Sequence, residues 1–248
     1  MQTIPMKGGL NMSKKIISQE DIMKLLDGCY EKCLNGIPYV SPKVEDLADE
    51  YCKKAKRKED ACKAMINNQI IKCATSGFIT GFGGFITMPV TIPANVGSVL
   101  YVQMRMIACT AYLAGFDLNS DHTQTFVYAC LAGVAVNEIV KQTGIKFGVK
   151  FTTKMVEKIP GKTLTKINQK VGFRFLTKFG SKGLVNIGKG IPFVGAVIGG
   201  GLDLAETKVI GNRAYKWFFK HDFSSEEDDL ETQKKDGIAD FDVTEEQQ

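Results

Sequence analysis

An all-α protein, one multi-helix domain wrapped around a single buried helix, is the fold this sequence predicts, on three observations. Apolar residues recur at helical spacing through most of residues 16–222, helix caps and stops punctuate those runs, and no stretch alternates like a strand between hairpin turns. A chain of 248 residues that is 44% hydrophobic can bury a core that needs neither disulfides nor metals. Residues 1–15 are polar and residues 223–248 strongly acidic, so both ends are expected to be disordered.

The elements follow in order. Ser18 with Asp21 three residues later reads as a capping box, opening a helix that Gly36 closes. Ser41 before Pro42 predicts an N-cap with proline in the first helical position, hence a second helix. Its charged continuation, KKAKRKED at 53–60, is expected on water or at the helix end. From Ala61, the residues Met65, Ile66, Ile70 and Ile71 keep helical spacing into GFITGFGGFITMPVTIPAN at 77–95, an uncharged run rich in glycine. Asn95 is expected to cap a helix over 96–114 that Gly115 stops. That helix, VGSVLYVQMRMIACTAYLA, is apolar nearly all round, so it is the predicted central buried one. Gln103 and Arg105 are its polar exceptions. A buried guanidinium needs a partner, and Asp117, Glu138, Asp203 and Glu206 are the candidates.

The next helix is predicted from Ser120 or Asp121 to Gly144, with Phe126, Val127, Cys130, Leu131, Val134 and Ile139 inward. His122 in its first turn reads as a surface residue, since no nucleophile is placed beside it. Residues 145–182 then carry a basic residue every four positions: Lys146, Lys150, Lys154, Lys158, Lys162, Lys166, Lys170, Arg174, Lys178 and Lys182. Between them lie Phe147, Phe151, Met155, Ile159, Leu164, Ile167, Val171, Phe175 and Phe179. A four-residue repeat drifts slowly around a 3.6-residue helix, so each piece has a basic flank and an apolar flank, and Pro160-Gly161 divides it in two. Basic amphipathic helices bind anionic membrane surfaces or dock on a core and leave their lysines in water. Nucleic acid is not expected, because the aromatics follow the apolar face instead of alternating with the basic residues.

A second glycine-rich segment follows, with Pro192 suited to a first helical turn and Gly195, Gly199 and Gly200 close behind. Glycines four apart, at 77/81 and 195/199, favour close helix approach, so the two glycine-rich segments are expected to pack on each other. Neither qualifies as a membrane span of about 20 unbroken apolar residues. Pro89 and Pro93 interrupt the first, the second is short, and the 96–114 helix holds Gln103 and Arg105.

Charge is unevenly spread. Residues 141–220 hold 16 Lys and Arg against three acids, whereas 224–248 hold ten acids against two lysines. An anionic partner for the basic part, or shielding by the tail, would account for this. The seven cysteines lack a disulfide-framework spacing, and the N-terminal residues lack the apolar core of a secretory signal. Reduced thiols in a cytoplasmic protein are therefore expected. Cys29 and Cys33 share a helix face, but with only His122 and His221 available elsewhere no metal site is expected, nor any cofactor.

With these residues in view the chain resembles the EcsC family. The resemblance rests on the run at 77–95, on Gln103, Arg105, Met106 and Ile107, on AGFDLNSD at 114–121, and on GKGIPFVGAVIGGGLDLAET near the end, and it covers roughly residues 40–220. It implies an α-helical protein whose namesake is encoded beside the ATPase and membrane subunits of an ABC transporter. It carries over no catalytic residues. What transfers by position is a signature set: Gly77, Gly81, Gly84, Pro89, Pro93, Gln103, Arg105, Asp117, Pro192, Gly195, Gly200, Asp203 and Thr207.

Three functions are open at this point. The first is a non-enzymatic accessory protein, peripheral to the inner face of the cell membrane. It would bind anionic lipid or a membrane complex such as an ABC transporter through the basic helices of 145–182, with Lys146, Lys150, Lys154, Lys158, Lys166, Lys170, Arg174 and Lys178 as contacts. The second is a hydrolase-like enzyme in which Arg105, Asp117, Asp203 and Glu206 converge on a pocket. The third is a toxin-like protein that inserts its glycine-rich hairpins into lipid.

Overall fold

The computed structural model describes residues 18–74, 94–144, 153–179 and 201–223. They form nine helices: α1 Gln19–Asn35, α2 Val44–Lys54, α3 Lys58–Ala74, α4 Ala94–Leu113, α5 Asp121–Ala132, α6 Val136–Lys141, α7 Thr153–Val156, α8 Gly161–Phe179 and α9 Gly201–Phe218. Among the described residues there is no strand, only an isolated bridge between Ile37 and Ser41. The protein is all-α, as its apolar spacing predicts. The signature positions Gly77, Gly81, Gly84, Pro89, Pro93, Pro192, Gly195, Gly199 and Gly200 lie outside the described residues, and so does the expected packing of the two glycine-rich segments.

Local chemistry sets most boundaries. The Ser18 hydroxyl accepts from the Asp21 amide and the Asp21 carboxylate accepts from the Ser18 amide, closing the capping box that opens α1. Gly36 ends the helix at φ +73°, where a Cβ would meet the Ser41 carbonyl oxygen at 2.7 Å. The start of α2 differs from expectation. Ser41 does not cap it, because its hydroxyl is held by the Tyr101 hydroxyl at 2.6 Å and its backbone pairs with Ile37. The helix begins at Val44 instead. The charged run 53–60 ends α2 and opens α3, with Arg57 and Asp60 paired at 2.8 Å.

The long helix α4 begins at Ala94, so Asn95 falls in its first turn, and Gly115 at φ +89° stops it. It packs against α1, α2, α3, α5 and α9, which makes it the central helix. Helices α3 and α4 run antiparallel. Cys62 donates to Thr110 at 3.7 Å, and Ile66 and Met106 meet at Gly211 of α9. Gly211 carries no side chain, and the Ile66 and Met106 side chains fill the space where its Cβ would stand.

The single helix expected over 121–144 is two helices. Ser120 caps α5 through the Thr123 amide, but Gly133 takes the left-handed conformation at φ +66° and ends it. The carbonyls of Cys130 and Gly133 at this end accept from the guanidinium groups of Arg213 and Arg174, the natural cation placement at a helix C-terminus. Behind this cap Phe126, Trp217 and Phe223 form an edge-packed aromatic cluster. The expected division at Pro160-Gly161 falls between α7 and α8.

Candidate basic surface and polar seam

The basic repeat reaches the surface unevenly, and helical geometry says why. Each four-residue step turns the side chain by about 40° beyond a full rotation. Lys162, Lys166 and Lys170 of α8 therefore spread over one exposed sector, while Thr163, Leu164, Ile167, Val171 and Phe175 are buried against α1 and α5. Over the next two steps the drift brings basic side chains to neighbouring elements. Arg174 donates to the Gly133 carbonyl, and Lys178 pairs with Glu206 of α9.

The sector between Lys162 and Lys170 contains no acid, since α8 carries none at all. Lys154 and Lys158, exposed around α7, continue the charge, with Glu157 exposed between them. Among the described residues no carboxylate lies within ion-pair distance of Lys154, Lys158, Lys162, Lys166 or Lys170. Lys146 and Lys150 lie outside the described residues. Within the angular range of the sector, about a turn beyond Lys170 and seven residues after Lys166, stands Phe173, which is 61% exposed. The sequence reading passed over it, although its spacing from the lysines places it on their stripe and not on the apolar one.

The second feature is interior. Gln103 of α4 donates to the Thr207 hydroxyl of α9 at 3.1 Å, both side chains buried. The α3–α4 register places Gln69 level with Gln103; Gln69 is 0% exposed, and neither of its amide atoms has a hydrogen-bond partner. Three helices thus share a polar layer inside an apolar seam.

The partner described for Arg105 is a backbone carbonyl. Its Nη2 donates to the Pro42 carbonyl at 2.8 Å. None of Asp117, Glu138 or Glu206 pairs with it: Asp117 accepts from the Asn119 amide in the turn after α4, Glu138 is exposed, and Glu206 holds Lys178. Asp117 also lies beyond the end of α4, and that end, Leu113, is already eight residues or about 12 Å of helix past Arg105. It lines a hollow of about 380 Å³ with Asp49, Cys52, Lys58 and Tyr112. The side chain of Asp203 is outside the described residues. The three described members of the expected Arg/Asp/Glu pocket therefore point to three different partners.

His122 is held at 2.9 Å from the Ile159 carbonyl, where it ties α5 to the turn before α8. Cys33 donates weakly to the Tyr101 carbonyl at 3.6 Å, and Cys29 beside it is buried. Among the described residues no group of three or more His, Cys, Asp or Glu could hold a metal ion. No helix among them is long and apolar enough to cross a membrane.

A helical domain with a basic face on an acid-free helix, and a polar layer threaded through its central helices, is the class of protein these features define. The EcsC protein family matches the chain over residues 10–220, and the chain belongs to that family. No curated protein and no solved structure matches it.

Proposed function

We propose that this is a non-enzymatic, membrane-associated accessory protein that docks on an anionic membrane surface through the exposed face of α8. The observation that carries the reading is Phe173, an exposed aromatic ring set among Lys162, Lys166 and Lys170 on a helix without acids. A water-exposed ring costs solubility and gains nothing internally. At a lipid interface the same ring enters the headgroup boundary while the lysines meet lipid phosphates. Each lysine held near an anionic leaflet contributes about 1 kcal/mol, so three or four suffice for reversible binding. The inner face of the cell membrane, whose lipids are anionic, suits this face. A membrane complex such as an ABC transporter, as the family's namesake implies, would have to offer the same chemistry.

Co-sedimentation of the full chain with vesicles tests the reading. Binding is expected to vesicles containing phosphatidylglycerol and not to pure phosphatidylcholine, and it should fade as salt rises. Phe173→Ser and the pair Lys166→Glu with Lys170→Glu should each weaken it by about tenfold. Equal binding to neutral and anionic vesicles, or none to either, would sink it.

A further inference from the structure

The α8 face has a counterpart in the chain itself. Residues 224–248 hold ten acids against two lysines and follow directly on Phe223. Within them Asp240, Phe241 and Asp242 set an aromatic ring between two negative charges. On α8 an aromatic ring, Phe173, stands 61% exposed on the stripe of Lys162, Lys166 and Lys170, with no acid on that helix. Cations elsewhere are less open to an acidic partner. The run at 53–60 carries its own acids nearby, with Lys54 paired to Glu50 and Arg57 to Asp60. Lys63 and Lys220 share Glu59, and Lys216 has Asp222.

The place where the chain leaves the described fold suits such a contact. Phe223 is buried, its ring 5.4 Å from that of Phe126 on α5. The neighbour of Phe126, Thr125, accepts from Asn168 of α8 at 3.3 Å. Lys166 and Lys170 lie two positions either side of Asn168, turned about 160° away from it around the helix. The acidic segment therefore starts on the helix against which α8 packs, about two helix diameters or 20 Å from the lysines. About six extended residues cross that distance, and Phe241 comes 18 positions after Phe223. Exposed ion pairs are weak between separate molecules, but a short tether holds the partners at about millimolar effective concentration.

We propose that residues 224–248 fold back onto the exposed face of α8, with Phe241 against Phe173 and Asp240 and Asp242 toward Lys166 and Lys170, and compete there with an anionic membrane. The docking itself is independent of lipid, whereas its role as a brake rests on the membrane reading of the same face. A surface dense in lipid phosphates displaces the segment; a neutral one does not.

Carbodiimide crosslinking of the dilute full chain, followed by peptide mapping, tests the docking without lipid. Amide links from carboxylates of residues 236–246 to Lys162, Lys166 or Lys170 are expected in the monomer, fading as salt rises. Links found only in crosslinked dimers, or none to these lysines, would overturn the docking. Co-sedimentation with phosphatidylglycerol vesicles tests the competition. Asp236→Asn, Asp240→Asn and Asp242→Asn combined should tighten binding about fivefold. Phe241→Ser leaves the net charge unchanged and should tighten it about twofold. Weaker binding of Phe241→Ser would mean that this ring enters lipid itself, and unchanged binding of both variants would mean that nothing competes; either result overturns the brake. Links in the monomer without vesicle binding by any of the three proteins would support the docking and sink only the membrane reading.

Discussion

Gln103 and Thr207, 104 positions apart in the chain, share a hydrogen bond of 3.1 Å in the buried seam between α4 and α9. It fixes the rotation of both helices, because a one-residue slip would carry each polar group into apolar surroundings.

Thr207→Val keeps the shape and removes the hydroxyl, leaving the Gln103 amide without this acceptor. The expected cost is about 1–3 kcal/mol, the desolvation penalty of a stranded buried donor. Thr207→Ser should recover part of it. Urea unfolding of the three proteins checks this, and a loss below a few tenths of a kcal/mol in the valine variant would show that the bond is replaceable.

Gly211 and Gly28 are both helical glycines and should respond to alanine in opposite directions. A Cβ at Gly211 would sit 2.8 Å from Ile66 Cγ2 and 3.4 Å from the Met106 sulfur, whereas nothing lies within 4 Å at Gly28. Alanine gains about 1 kcal/mol of helix propensity at either place. At Gly211, overpacking against a branched side chain costs about 1–3 kcal/mol and wins. Gly28→Ala should therefore raise the melting temperature and Gly211→Ala lower it.

Thiol chemistry gives a simple readout of the core. Cys29, Cys33, Cys62, Cys73, Cys109 and Cys130 are buried, and only Cys52 is partly exposed. Burial pushes Cys29, Cys62 and Cys130 up to about 12. Since the thiolate is the reactive form, an alkylating reagent at pH 8 should modify Cys52 first and the other six only after denaturation. A second thiol reacting as fast as Cys52 in the native protein would contradict this packing.

Glu59 links α3 to the end of α9. It accepts from the Tyr215 hydroxyl, with Lys220 at 3.4 Å and Lys63 at 3.5 Å, and these partners hold its carboxyl down at about 2. A carboxyl depressed on folding binds fewer protons in the native state, so its contribution is complete above the unfolded value of about 4.3. That contribution is lost as pH falls from there toward 2. The stability gap between the wild type and Glu59→Gln should be largest near neutrality and close over this acid window; a gap independent of pH would refute the linkage.

Much of the fold was legible because it is written locally. The Ser18–Asp21 box, the Gly36 and Gly115 stops and the Pro160 break act through the backbone within a turn of themselves. Ser41 was misread because its hydroxyl is claimed by Tyr101, sixty residues away, and no local rule sees that competitor. Gly133 falls inside the helix expected to run to Gly144, and a single glycine is a weak stop signal; the arginines that stabilise its break come from α8 and α9. Arg105 was recognised as a buried charge in need of a partner, yet its acceptor proved to be a backbone carbonyl, which leaves no mark in a sequence.

The basic surface divides in the same way. Four-residue spacing alone determined that 145–182 would carry a basic flank and an apolar one, and the same geometry already placed Phe173 among the lysines. Which cations remain free for a partner was decided only by tertiary structure. Arg174 and Lys178 are spent on Gly133 and Glu206 because α5 and α9 happen to lie where the helical drift brings them. Sequence fixes angles along one helix, whereas the neighbours those angles meet depend on how the helices pack.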